Sequence, residues 1–207
     1  MSFNEMNTIE NALRDHLVGK PVTIQTGMVA EETAEYIAGN RDLKWKYVHG
    51  ENLVLYGKQP QDVFVDTWLK ETLCRLNKPL AANPDLADEV IHRLRGVLLE
   101  AGYSGLIRAN EIFQDWLLGR VSMPLGKDGE HITIHLIDFD TPQNNHFVVS
   151  QQVQFTGTRD CYFDLVLYVN GLPLVVGEVK TPVRDAISWQ DGAADFLGGQ
   201  KHYWENQ

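Results

Sequence analysis

The sequence has few cysteines and no long apolar run. Among its 207 residues only Cys74 and Cys161 are cysteines, and they form no framework of spacings. No secretory signal opens the chain, and no apolar run reaches the roughly 20 residues needed to span a bilayer. These absences argue against a disulfide-stapled secreted protein and a membrane partner, so we expect a protein of the reduced cytoplasm.

Excess basic charge is also missing. The chain has 18 lysines and arginines against 28 aspartates and glutamates, a net charge of −10. A free-standing nucleic-acid binder carries a basic footprint, so this chain either does not bind DNA or acts on DNA that other parts of a larger machine hold. Six basic residues on predicted helices or at their ends leave open an ordinary solvated face or a DNA-facing ridge. They are Arg75, Lys78, Arg93, Arg95, Arg108 and Arg120.

Two further motifs are absent. The segment Leu125-Gly-Lys-Asp-Gly129 lacks the preceding glycine and the following Ser or Thr of a phosphate-binding P-loop, so we expect a hairpin turn and no ATP site. His131 and His135 alternate as strand neighbours, and no cysteine or third histidine lies near them. A surface strand is therefore favoured over a zinc site.

The strongest positive signal is the segment from Tyr162 to Pro182. Two apolar runs meet at Asn170-Gly171, which predicts a β-hairpin whose strands are covered on both faces. Asp164, Glu178 and Lys180 interrupt these runs. Ionised groups in a buried sheet are costly unless they are paired or coordinated, so their presence requires an explanation.

The register of this hairpin decides whether the three charged side chains meet. A strict two-residue loop places Asp164 opposite Gly177 and puts Glu178 on the other face. Convergence therefore predicts a three- or five-residue loop, or a bulge in one arm. Two converging carboxylates and the Val179 carbonyl are hard oxygen ligands for Mg²⁺, and Lys180 would then orient or activate water. The alternative is a structural salt bridge without metal.

These residues resemble a known family. Asp164 followed by Glu178-Val-Lys180 is similar to the D…(D/E)xK core of the restriction-endonuclease-like nucleases. The longer sequence from Phe163 to Lys180 resembles the amino-terminal nuclease domain of the R (restriction) subunit of type I restriction-modification enzymes. Three further stretches carry the same resemblance, which runs from about Trp45 to the end: Tyr47-Val-His-Gly50, Leu73-Cys-Arg-Leu-Asn77 and Asn144-Asn-His-Phe-Val-Val149.

The resemblance implies an Mg²⁺-dependent endonuclease, with Mn²⁺ able to substitute, that cuts double-stranded DNA. It further implies a longer chain with a downstream helicase-like ATP motor, and methylation (M) and specificity (S) subunits as partners. ATP would act only through those absent domains. Two alternatives remain: a recombination or repair nuclease with the same core, and a non-catalytic docking module with a structural Asp-Lys-Glu cluster.

The resemblance also suggests further site residues. Members of this family carry a Gln-x-x-x-Tyr motif in the last helix, where this chain has Gln200 with Tyr203 three and Trp204 four residues later. Gln200 would then position phosphate or water, with Tyr203 or Trp204 beside it. An early helical acid, here Glu32 or Glu35, would complete the metal site; a solvated helix face is the alternative.

The order of elements predicts the fold class. Helices come first, then strands, then a helix, which indicates an α/β protein of the restriction-endonuclease-like type with a mixed central β-sheet flanked by helices. We expect a single endonuclease domain over 1–207, mainly helical over 1–125, with the sheet, the catalytic hairpin and the final helix over 126–207. The predicted helices are 3–17, 30–37, 61–77, one following Pro84, 106–118 and 185–204, and the predicted strands are 22–24, 45–56, 131–139, 147–155, 163–169 and 174–180.

Overall fold

The structure, a computed structural model, describes residues 10–19, 43–157 and 159–180. The strand predicted at 22–24 and the helices predicted at 30–37 and 185–204 lie outside these residues. The helices are α1 (Asn11–Val18), α2 (Asp66–Leu76), α3 (Lys78–Ala82), α4 (Asp85–Ser104) and α5 (Leu106–Leu117). The strands are β1 (Lys46–Tyr47), β2 (Ser122–Met123), β3 (Ile132–Thr133), β4 (Phe147–Thr156), β5 (Asp160–Val169) and β6 (Leu172–Gly177).

The contacts divide the chain into two compact units. One unit contains residues 64–146 and 169–172, and so holds helices α2 to α5 together with the β2–β3 hairpin. The other contains the described residues before 64, together with those of 147–168 and 173–180. It holds α1 and most of the main sheet.

The main sheet has the strand order β1-β4-β5-β6. β1 pairs with β4 in parallel, with Lys46 opposite Val148, whereas β4, β5 and β6 follow one another through short connections that require antiparallel pairing. The sheet is therefore mixed, and the predicted α/β class of restriction-endonuclease-like type is confirmed. Helix α1 packs on β1 and β4, where the Arg14 guanidinium lies 5.0 Å from the centre of the Tyr47 ring.

The predicted hairpin is present as β5 and β6, joined by a two-residue turn. Asn170 and Gly171 both have positive φ angles, 56° and 85°, as a tight turn matching the strand twist requires. A Cβ on Gly171 would lie 2.6 Å from the Val65 carbonyl oxygen, so only glycine fits there. The expectation that both faces of the hairpin are covered is wrong for Leu174 and Val175, which are 38% and 51% exposed.

Asn170 is also a buried hydrogen-bonding centre. Its Oδ1 accepts from the His146 backbone amide at 2.7 Å and from the Thr72 hydroxyl at 3.3 Å. Its Nδ2 donates to the Leu136 carbonyl and to Asn145 Oδ1, each at 2.8 Å. One side chain thus satisfies polar groups from three separate segments.

Two predicted strands are largely wrong. The segment predicted as a strand over 45–56 forms only β1 and then a 3₁₀ helix, Gly50–Tyr56, because the His49 ring caps the Glu51 amide. The strand predicted over 131–139 shortens to β3. There the backbone of His135 pairs with the side-chain amide of Asn77, at 2.9 Å in each direction, instead of with another strand.

The helical predictions mostly hold. Helices follow Pro84 and begin at Leu106 as expected, and the segment over 125–129 is the turn of the β2–β3 hairpin. Helix α3 was not predicted. The helical spacing of apolar residues over 106–118 also predicts that Ile107 faces inward, but Ile107 is 80% exposed. It precedes the buried Ala109 by two residues, a rotation of about 200° that puts it on the opposite side of the helix.

We predict that Asn170→Ala destabilises the 207-residue chain by about 3 kcal/mol, because it leaves several buried polar groups without partners and places alanine at a positive φ. Asn170→Gly loses the same hydrogen bonds without the backbone penalty, so it should cost about 1 kcal/mol less. Urea unfolding measures both. The exposed Asn110→Ala on α5 is the control, and an Asn170→Ala variant as stable as that control would contradict the assignment.

Candidate active site

Asp164, Glu178 and Lys180 are brought together where β6 ends. The Val179 backbone amide donates to Asp164 Oδ2 at 2.8 Å, which places both neighbours of Val179 beside the aspartate. Lys180 Nζ lies 2.5 Å from Glu178 Oε1. The side chains of Lys180 and Glu178 are only 18% and 4% exposed. The cluster is thus a largely desolvated group of two carboxylates and one ammonium.

A bulge in the hairpin accounts for this convergence. Counting from the two-residue turn, a strict register would place Leu165 opposite Val176. Instead, a Cβ built on Gly177 would lie 3.4 Å from the Leu165 Cβ, an offset of one residue. Leu174 and Val175 are both exposed although neighbours in a regular strand alternate, which fits an extra residue in β6. The predicted bulge is therefore favoured, and the predicted three- or five-residue loop is wrong.

The strand expected to run to Lys180 ends at Gly177. The physical reason is the Asp164 carboxylate, which accepts the Val179 amide that would otherwise continue along the sheet. A side chain thus replaces a backbone carbonyl as the hydrogen-bond partner. This substitution frees the segment 178–180 from the strand and directs it to the aspartate.

Burial raises the pKa of Asp164, and the neighbouring Glu178 carboxylate raises it further. Hydrogen bonds from the Val179 amide and the Gln152 side chain, together with the Lys180 charge, act in the opposite direction and lower that pKa. Burial prevails, so Asp164 holds its proton more tightly than an exposed aspartate does. A charge introduced by a cation would relieve this penalty.

Two residues that sequence reasoning missed lie beside this cluster. Glu10, directly before α1, is 2% exposed. Gln152 Nε2 donates to Glu10 Oε2 at 3.1 Å and to Asp164 Oδ1 at 3.4 Å. No local signal separates Glu10 from the other acids of the chain, since its position depends on the packing of α1 against β4.

The structure does not describe the remaining predicted site residues. Glu32, Glu35, Gln200, Tyr203 and Trp204 lie outside the described residues, so their roles stay predictions. The acidic residue that the structure does connect to Asp164 is Glu10, through Gln152.

The two carboxylates of the cluster are suitable ligands for a hard cation, but they supply only part of its coordination shell. Mg²⁺ usually binds through one or two carboxylates and keeps several waters, and Asp164 and Glu178 supply such a pair. Over residues 10–19, 43–157 and 159–180, no three acidic, histidine or cysteine side chains form a group able to hold a metal. A cation here would therefore rely on the pair, on backbone oxygen and on water or phosphate.

Most of the six basic residues considered for a DNA-facing ridge form ion pairs with acidic side chains. Four of the six considered above form ion pairs with carboxylates. They are Arg93 with Glu89, Arg95 with Asp66, Arg108 with Glu111 and Arg120 with Asp115. These pairs favour the solvated face over the DNA-facing ridge.

Cys74 and Cys161 are both free thiols. In the described part of the chain, no helix is long and apolar enough to cross a membrane.

Comparison with known proteins gives consistent matches. The family model described as "Type I restriction enzyme R protein N terminus" matches residues 31–201. The type I restriction enzyme HindI endonuclease subunit of Haemophilus influenzae is 28% identical over 171 residues, covering 77% of this chain and 16% of that protein. The putative type I restriction enzyme MjaIXP endonuclease subunit of Methanocaldococcus jannaschii is 26% identical over 148 residues, covering 69% and 14%. The chain thus spans only a small part of these relatives, and no solved structure matches it.

We predict that Asp164→Asn raises the thermal unfolding midpoint of the chain at pH 8 in metal-free buffer. The wild type must keep a charged, half-buried carboxylate at that pH, whereas asparagine is neutral and can still accept from the Val179 amide. As the pH falls through the raised pKa of Asp164, toward about 3.9 for an ordinary aspartate, the wild type becomes protonated and the difference shrinks. Calorimetry between pH 8 and pH 4 measures this, with the exposed Asp140→Asn as control. A gain that grew on acidification would contradict the burial of this charge.

Proposed function

The chain belongs to the family of type I restriction enzyme R-protein N termini, and we propose that it is the endonuclease domain of such a subunit, cutting double-stranded DNA. The observation that carries the proposal is the 2.8 Å hydrogen bond from the Val179 amide to Asp164, which joins the two halves of the D…ExK pattern. The named relatives are endonuclease subunits, which supports a restriction enzyme over a recombination or repair nuclease.

We propose Mg²⁺ as the cofactor, with Mn²⁺ able to substitute. Asp164, Glu178 and the Val179 carbonyl would hold it, whereas Glu10 would act on the site through the Gln152 amide and not as a ligand. When bound, the ion supplies a Lewis acid that polarises the phosphodiester and lowers the pKa of a bound water. Glu32 or Glu35 would supply the further carboxylate that completes the metal site.

Lys180 is assigned to the attacking water and the phosphate. Its ammonium lies 2.5 Å from Glu178 Oε1, so the proposed water and phosphate would meet this charge directly beside the carboxylates. At 18% exposure its charge acts through a medium less polar than bulk water, which strengthens its interaction with developing negative charge. Gln200 would assist in positioning, with Tyr203 or Trp204 beside it.

Because the chain is acidic, its partners would have to supply the binding of DNA. With a net charge of −10 and four arginines neutralised by acids, it presents little attraction for DNA. We therefore propose that the helicase-like ATP motor of the same subunit, with the M and S subunits, holds the DNA and presents it after translocation. The proposed compartment is the cytoplasm.

A docking module with a structural cluster is the competing function. The 2.5 Å contact between Lys180 and the nearly buried Glu178 favours it, because such a pair can satisfy itself without metal. Mn²⁺ titration of the 207-residue chain by calorimetry separates the two. The nuclease binds Mn²⁺ and loses it in Asp164→Ala, whereas the docking module ignores the ion.

We predict that Asp164→Ala or Lys180→Ala, in the R subunit assembled with its M and S subunits, lowers plasmid cleavage by at least about 100-fold. The reason is that one variant removes a metal ligand and the other removes the group that orients water. ATP-driven translocation should stay at the wild-type rate, since neither residue belongs to the motor.

Asp140→Ala, an exposed aspartate in the helical unit, is the matched control and should cut normally. Should cleavage persist in either site variant while translocation is intact, the assignment of these residues to phosphodiester hydrolysis would be wrong.

A further inference from the structure

The backbone of β4 is left-handed at one residue. Gln152 has φ 53°, an unusual angle for a side-chain-bearing residue within a strand. Neighbouring residues of a regular strand point to opposite faces, yet Gln151 and Gln152 both reach the start of α1. Gln151 Nε2 donates to Asn11 Oδ1 at 3.3 Å, and Gln152 Nε2 donates to Glu10 Oε2 at 3.1 Å. The left-handed residue therefore breaks the alternation and turns the second glutamine toward the site.

Gly50 permits this distortion. A Cβ at position 50 would overlap the Gln152 carbonyl oxygen and would lie 2.7 Å from the Gln152 carbonyl carbon. It would also lie 2.8 Å from the Gln151 carbonyl oxygen. All of these are backbone atoms, so no side-chain rotation relieves the clash. The start of the 3₁₀ helix and the left-handed residue of β4 thus fit together only with glycine at position 50.

We infer that Gln152 is a positioning residue that fixes the orientation of the Asp164 carboxylate toward a cation, an inference that rests on the proposed nuclease function. Strained backbone that a fold retains beside a candidate site is a reason to look for such a role.

Lone-pair geometry explains how Gln152 acts. A carboxylate offers about four acceptor sites, two on each oxygen. Gln152 Nε2 takes one site on Oδ1 and the Val179 amide takes one on Oδ2, so two donors from different elements fix the plane of the group. Among residues 10–19, 43–157 and 159–180, these two donors leave one acceptor site on each oxygen for a cation or its waters.

The same amide also links two acids. Glu10 and Asp164 share Gln152 Nε2 as a donor, so the position of one carboxylate is tied to that of the other. Partners that hydrogen-bond a metal-binding carboxylate typically change metal affinity by 10–100-fold when removed. Loss of the Gln152 amide should have an effect of that size.

The test is Mn²⁺ binding to the 207-residue chain, measured by calorimetry well below the unfolding midpoint. Gln152→Met keeps the length and apolar stem of the side chain but removes the donor, and it should weaken Mn²⁺ binding about 10–100-fold. Gln152→Asn is the second variant. Asparagine tolerates a positive φ but is one methylene shorter, so it should fold and show the same loss.

Gln154→Met is the matched control, because it makes the same change two residues along the same strand and should leave Mn²⁺ affinity unchanged. A purely structural role for Gln152 would lower the unfolding midpoint without altering the Mn²⁺ dissociation constant. If either folded Gln152 variant bound Mn²⁺ like the wild type, the inference would be overturned and the proposed function would stand. A wild-type chain that failed to bind Mn²⁺ would overturn both.

Discussion

The hydrogen bond from the Val179 backbone amide to the Asp164 carboxylate is the interaction on which the site depends. It takes an amide from the sheet and so ends β6 at Gly177. It also brings Glu178 and Lys180, on either side of Val179, next to the aspartate. The bulge in β6 is the second requirement, because without the extra residue the strict register would place Glu178 and Asp164 on opposite faces of the sheet.

Two irregularities in the strands build this candidate site, and each lies next to one of its side chains. The bulge in β6 shifts its pairing with β5 by one residue. The left-handed backbone at Gln152 in β4 turns the Gln152 side chain to the same side of the strand as that of Gln151. Regular strands alternate their faces and cannot gather consecutive polar groups on one side. The sheet is therefore irregular at two places, and these irregularities place the Gln152 side-chain amide and the Val179 backbone amide as hydrogen-bond donors to Asp164.

The parts of this fold that sequence predicts are those set by local pattern. Asn170-Gly171 between two apolar runs specifies the hairpin by itself, and the spacing of Glu178 and Lys180 carries the candidate chemistry. Glu10 and Gln152 were missed because they meet across 142 positions of sequence, through the packing of α1 on β4. The 3₁₀ helix Gly50–Tyr56 was mistaken for a strand because its apolar content is strand-like. The close approach of Gly50 to Gln152, a tertiary contact, is not visible in the local pattern.

The negative charge of the chain explains why, on the proposed function, other parts of the enzyme would have to hold the DNA. A cluster with two carboxylates and one ammonium is itself net negative, and it lies in a chain of net charge −10, so a phosphodiester approaching alone meets repulsion. A cation at the carboxylates reverses that sign locally, but only over a short range at physiological ionic strength, where the Debye length is about 8 Å. On the proposed function, cleavage then requires both the cation and an outside device that brings DNA within this range. On the same proposal, the acidic charge prevents the domain from cutting DNA that a motor has not delivered.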